Sequence, residues 1–92
     1  MPTADEFRET LYRIFYEAFK QGQTAIEVNA GDLHARVGGY PGTNHRMPSC
    51  CSVMRAAMDP SAGDRVLSEP RRGQGATLTI RYTLPRAVKP AG

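Results

Sequence analysis

Along residues 76–84 the apolar and polar side chains take turns: Leu78, Ile80, Tyr82 and Leu84 alternate with Thr77, Thr79, Arg81 and Thr83. A period of two predicts a strand with one face on a core and the other toward water. The stretch Arg65-Val66-Leu67-Ser68-Glu69 also reads as a strand, and Pro70-Arg71-Arg72-Gly73-Gln74-Gly75 between them as a turn. Together they predict a C-terminal β-hairpin with strands 65–69 and 76–84. Its tip at 70–75 carries two arginines and two glycines, a charged, flexible finger suited to phosphate contact.

The N-terminal pattern has a different period. Phe7, Leu11, Ile14, Phe15, Ala18 and Phe19 form one wide stripe at helical spacing, with Tyr12 and Tyr16 flanking it as core aromatics. Thr3 and Glu6 have the spacing of a capping box and Gly22 is a C-terminal stop, so a helix is predicted over 4–21. Thr24 to Val28 reads as a short strand. Asn29 or a neighbour caps a second, short helix over 31–37, with Leu33 and Val37 on its narrow apolar side and Gly38-Gly39 closing it. Tyr40-Pro41-Gly42-Thr43 is a turn cluster, after which Asn44 offers a cap for a third helix, His45 to Met58. Pro48 is tolerated only in a first turn, which pins that helix start near 44–47. Met47, Cys50 or Cys51, Met54, and Ala57 or Met58 fall on its inner face; Arg46, Ser49, Ser52, Val53 and Arg55 are expected mostly outward. Residues 59–64 lead into the hairpin. The expectation is a single domain over 1–92, with an ordered core of about 4–85 and a flexible tail at 86–92.

Composition narrows the classes. The 92 residues are ordinary for a globular chain, and no stretch approaches the roughly 20 apolar residues of a membrane helix. The first residues lack the basic start and apolar run of a signal peptide, so the expected compartment is cytoplasmic. Adjacent Cys50 and Cys51 are poorly placed for a structural disulfide. Charge is uneven: residues 1–39 hold four Arg/Lys and six Asp/Glu (net −2), whereas 40–92 hold eight and three (net +5). Ten of the twelve cations are arginine, whose planar fork suits phosphate and guanine.

Helix, short strand, helix, turn, helix and a basic-tipped hairpin: this order resembles the winged helix-turn-helix family over residues 4–85. The resemblance implies an α+β, winged helix-like fold of three helices with a short strand and a C-terminal β-hairpin wing. It also implies duplex DNA as ligand, in a regulatory or accessory role such as transcription regulation, with recognition helix 45–58 in the major groove and wing 70–75 on the backbone. A helix N-terminus presents unbonded N–H groups and partial positive charge, and here it would be flanked by Asn44, His45 and Arg46. Ser49, Ser52 and Arg55 continue the polar side, with Arg46 or Arg55 able to read guanine. Arg71, Arg72 and Gln74 would clamp a second stretch of backbone. The run from Gly31-Asp32-Leu33-His34 through Asn44-His45-Arg46-Met47-Pro48 to Cys50-Cys51 is also similar to a small bacterial family of uncharacterised function, some of whose members are associated with restriction-type endonucleases.

Other chemistries are less well supplied. Asp32, His34, His45, Cys50 and Cys51 include no Cys-x-x-Cys pair, and adjacent helical cysteines point about 100° apart, so neither a metal nor a cofactor is expected. A Cys–His nucleophilic pair would need a cleft and an oxyanion site, and the chain is not expected to be an enzyme. His34 reads as a packing or surface histidine. The main alternative is a protein–protein interaction module that uses the same scaffold without DNA. A further option is a homodimer through the first helix, if Phe7, Phe15 and Phe19 exceed what a small core can cover.

Overall fold

The computed structural model describes residues 3–38, 46–71 and 75–84. Helix α1 (Ala4–Lys20) starts where local chemistry sets it. The Thr3 hydroxyl accepts from the Glu6 N–H at 3.2 Å, and the Glu6 carboxylate accepts from the Thr3 N–H at 3.1 Å. This reciprocal box satisfies two donors that the helix cannot. At the other end Gly22 adopts φ +83°, where a Cβ would be strained. The Gly22 N–H donates to Phe19 O at 2.9 Å and the Gln23 N–H to Ala18 O at 3.1 Å, the paired bonds of a Schellman stop. Phe7, Leu11, Phe15 and Ala18 are buried, but Phe19, expected in the same stripe, is 51% exposed. Tyr16, expected at the core's edge, is 60% exposed.

Strand β1 (Ala25–Asn29) runs one residue later than expected, and Asn29 ends it by capping α2 (Ala30–Val37). The Asn29 side chain accepts from the Asp32 N–H at 3.1 Å. The first donors of α2 are met from elsewhere in the chain: the Ala30 N–H reaches Leu78 O at 2.8 Å and the Gly31 N–H reaches Ala76 O at 3.1 Å. Residues 75–78 therefore lie across the start of α2. A Cβ on Gly31 would sit 3.1–3.3 Å from Asn29 Oδ1 and from Cβ and O of Ala76, so only glycine fits without a shift.

Helix α3 spans Met47–Ala56, shorter at both ends than the predicted 45–58. Its N-cap is Arg46 rather than Asn44, and no side chain caps it. Pro48 lies in the first turn, as its missing N–H requires. Met47, Cys50, Cys51, Val53 and Met54 are all buried. Val53, expected outward, joins the core because three helices and the sheet enclose a wider arc than one apolar seam. After α3 a 3-10 turn (Pro60–Ala62) leads into β2 (Arg65–Ser68) and β3 (Thr79–Thr83).

The sheet order is β1-β3-β2, antiparallel throughout, so the last strand is central. Val28 pairs with Ile80, and Ile80 with Val66. A bulge at Leu67 then separates Val66–Ile80 from Ser68–Thr79 and leaves Leu67 43% exposed. The alternation read at 78–84 holds, since Leu78, Ile80, Tyr82 and Leu84 are all buried. Thr79, Arg81 and Thr83 on the other face are half-buried, as expected of a strand flanked on both sides. The chain is thus an α+β fold of three helices and a three-stranded antiparallel sheet, an order compatible with the winged-helix-like class.

Two buried polar groups tie the connections to this frame. Asp64 is 4% exposed; its carboxylate accepts from the Asp59 N–H (2.9 Å), the Thr83 N–H (2.7 Å) and the Thr83 hydroxyl (3.1 Å). Tyr82 donates its hydroxyl to Met54 O at 2.8 Å, pinning the last turns of α3 to the central strand, while its ring lies 4.7 Å from that of Phe15.

Candidate nucleic-acid interface

The outer side of α3 is built by exclusion. With Met47, Cys50, Cys51, Val53 and Met54 committed to the core, Pro48, Ser49, Ser52, Arg55 and Ala56 remain toward solvent. No acidic residue lies in the first turn of α3, so the positive end of its dipole is not neutralised from within the helix. Arg46 and Ser52 are exposed, Ser49 and Arg55 half-buried.

A histidine places the start of this helix. His34 of α2 is fully buried, its ring edge-on to Phe7 with centroids 4.9 Å apart. Its Nε2 accepts from the Arg46 backbone N–H at 2.7 Å, which makes Nδ1 the protonated nitrogen of a neutral ring. Arg46 is thereby exposed at the helix entrance while its main chain is anchored in the core. His34 belongs to packing, and its pairing with a residue twelve positions away had no signal in the local pattern.

The hairpin root lies directly beside α3. Arg55 pairs with Glu69, at the end of β2, at 3.0 Å between guanidinium and carboxylate. Cys51 Sγ lies 3.5 Å from Gly75 O and accepts from the Gly75 N–H at 3.3 Å. Gly75 also meets Pro70: a Cβ there would be 3.1 Å from Pro70 Cγ. Both sides of the hairpin root are therefore held against one turn of α3, with Arg71 exposed just beyond. Of the residues expected at the interface, Arg46, Ser49, Ser52, Arg55 and Arg71 lie on α3 or at this root. Asn44, His45, Arg72 and Gln74 lie outside the described residues, as does the tail at 86–92. Glu69 was not anticipated. Its carboxylate already engages Arg55, so that arginine is not presented as an uncompensated charge.

The cysteines are structural. Cys50 and Cys51 are fully buried, and the Cys50 thiol donates to Ala30 O at 3.5 Å. Burial, with the neighbouring Cys51 adding to it, pushes the Cys50 thiol up to about 12, far from the thiolate a nucleophile needs. Among the described residues no three His, Cys, Asp or Glu side chains form a metal-binding group, and no helix is long and apolar enough to cross a membrane. No family model, curated protein or solved structure matches the chain.

Proposed function

We propose that this chain is a nucleic-acid-binding domain that engages duplex DNA through the outer side of α3 and the hairpin wing, in a regulatory or accessory role. The observation that carries this reading is the contiguity of the two parts. Arg55 and Cys51, one turn apart on α3, touch Glu69 and Gly75 on either side of the wing root. A duplex lying along α3 would meet both parts at once, with Arg46 at one end and Arg71 at the other. The outer side of α3 offers two hydroxyls, a proline, an alanine and an arginine already paired. Small side chains let a helix approach a groove closely but read few base edges. Binding should therefore draw most of its energy from phosphate contacts and be weakly sequence-selective.

Titrating a labelled random-sequence duplex at low and moderate salt tests this. Expected is binding whose affinity falls steeply with salt, and Arg46→Ala should weaken it and flatten the dependence by about one unit of slope. Absence of binding at low salt would refute the reading. A protein-interaction module is the second reading, favoured by one observation away from α3: Tyr16 and Phe19 stand in solvent on α1. Such a module would keep its partner at any salt that spares apolar contacts and ignore the duplex.

A further inference from the structure

The entrance of α3 depends on a ring from another helix. The N–H groups of a helix's first turn have no partner within the helix. At α3 no side chain of its own caps them, and Pro48 brings no N–H. His34 of α2 supplies an acceptor for one of them: its Nε2 takes the Arg46 N–H at 2.7 Å. The ring is fully buried and edge-on to Phe7 of α1, so it joins all three helices. That bond fits only one protonation state. A neutral imidazole accepts at one nitrogen and donates at the other, whereas an imidazolium donates at both. A proton on Nε2 would therefore set one N–H against another.

We propose that His34 is a proton-operated latch on the entrance of α3. Neutral, it holds the Arg46 main chain; protonated, it releases Arg46 and loosens the first turn that follows. Histidine is the side chain that ordinarily changes charge between about pH 5 and 8. The other titratable groups on the elements around it are placed differently. Asp5, Glu6 and Glu9 of α1, Asp32 and Arg36 of α2 and the Arg46 side chain are exposed, and half-buried Arg8 of α1 pairs with Asp5. Cys50 of α3, whose thiol donates to Ala30 O one turn before His34, keeps its proton up to about 12. Cys51 of α3 accepts from the Gly75 N–H. A second effect acts in the same direction. An imidazolium would add positive charge at the positive end of the α3 dipole, where the first turn holds no acid. Arg46 is the charge that the proposed binding face presents at this end, so acid would loosen that end of the face. This consequence rests on the nucleic-acid reading, whereas the latch itself does not.

NMR of the chain without nucleic acid, from about pH 8 to about pH 5, tests it. The His34 imidazole nitrogens report the proton; those of His45, which lies outside the described residues, are followed separately. The Arg46 amide should shift with the same midpoint as the His34 ring. Its protection against hydrogen exchange should fall at least about tenfold over that change, while the amides of the central strand keep theirs. His34→Gln, whose amide oxygen can accept the same bond but does not titrate, should leave the Arg46 amide unresponsive. If that variant does not fold, the coincidence of the two midpoints in the unsubstituted chain still decides. A His34 ring that stays neutral to pH 5, a ring that gains its proton with Arg46 unmoved, or a response that survives His34→Gln would each overturn the proposal.

Discussion

Helix α1 buries Phe7, Leu11, Phe15 and Ala18 and leaves Tyr16 and Phe19 in water, whereas α3 buries Met47, Cys50, Cys51, Val53 and Met54 and leaves Pro48, Ser52 and Ala56. Both helices pack one face on the same core, yet their outer faces differ in chemistry. The outer face of α1 is aromatic toward its C-terminal end, at Tyr16 and Phe19, and carries the Asp5–Arg8 ion pair toward its N-terminal end. The outer face of α3 is small and hydroxylic, is flanked by arginines, and continues into the hairpin root through Arg55–Glu69 and Cys51–Gly75. Helical period specifies where a residue points. What the outward side is for depends on side-chain size and charge, and on which neighbouring element abuts it.

The two faces of α3 itself give the sharpest contrast. Met54→Ala should cost about 2–5 kcal/mol in chemical denaturation because it opens a cavity among fully buried side chains. Ser52→Ala, two residues away and exposed, should stay within about 0.5 kcal/mol. Equal costs would mean that the inner and outer sides have been misassigned. Next in size is Asp64→Ala, which strands the N–H groups of Asp59 and Thr83 and frees the chain leaving α3 from the central strand. A loss of about 2–4 kcal/mol is expected in the same measurement; a neutral result would show that the connection is held by something else.

The Cys50 thiol predicts an alkaline signature. Unfolded, it ionises near the ordinary thiol value of 9.0; folded, only at about 12. Between these values the unfolded chain has released a proton that the folded chain keeps, so stability falls as pH rises, by up to about 1.4 kcal/mol per pH unit. Subtracting the pH-stability curve of Cys50→Ala isolates this contribution from that of other alkaline groups. A difference that is flat from pH 9 upward would deny the burial of that side of α3.

The smallest effects separate the arginines. Arg55 is half-buried and paired with Glu69, whereas Arg46 is exposed at the N-terminus of α3. Arg46→Ala should therefore weaken duplex binding more than Arg55→Ala does, and Glu69→Gln should strengthen it. The reverse order in a low-salt titration would move the contact surface along the helix.

What could be read in the sequence was what neighbouring residues decide among themselves. The Thr3–Glu6 box, the Gly22 stop, the Asn29 cap and the alternation at 78–84 all depend on partners within a few positions, and each lies where its pattern placed it. Phe19 and Val53 went to the wrong side because a stripe fixes the axis of burial but not its width, which the surrounding elements set. The entrance of α3 was misplaced for a related reason. Asn44 is a good cap by type, but the N-cap is Arg46, whose N–H is taken by His34 across the core. Nothing in the local pattern marked Asp64 or Glu69 for a role, because their partners, Thr83 and Arg55, are nineteen and fourteen residues away.

The most direct test of the account is to follow backbone amide shifts while a random-sequence duplex is added at low salt, at a protein concentration fixed throughout. The account predicts shifts concentrated in 46–56 and around the hairpin root at 69–71 and 75–76, fading as salt is raised, with 12–20 on α1 unmoved. Silence at low salt, or shifts centred on Tyr16 and Phe19 instead, would contradict it.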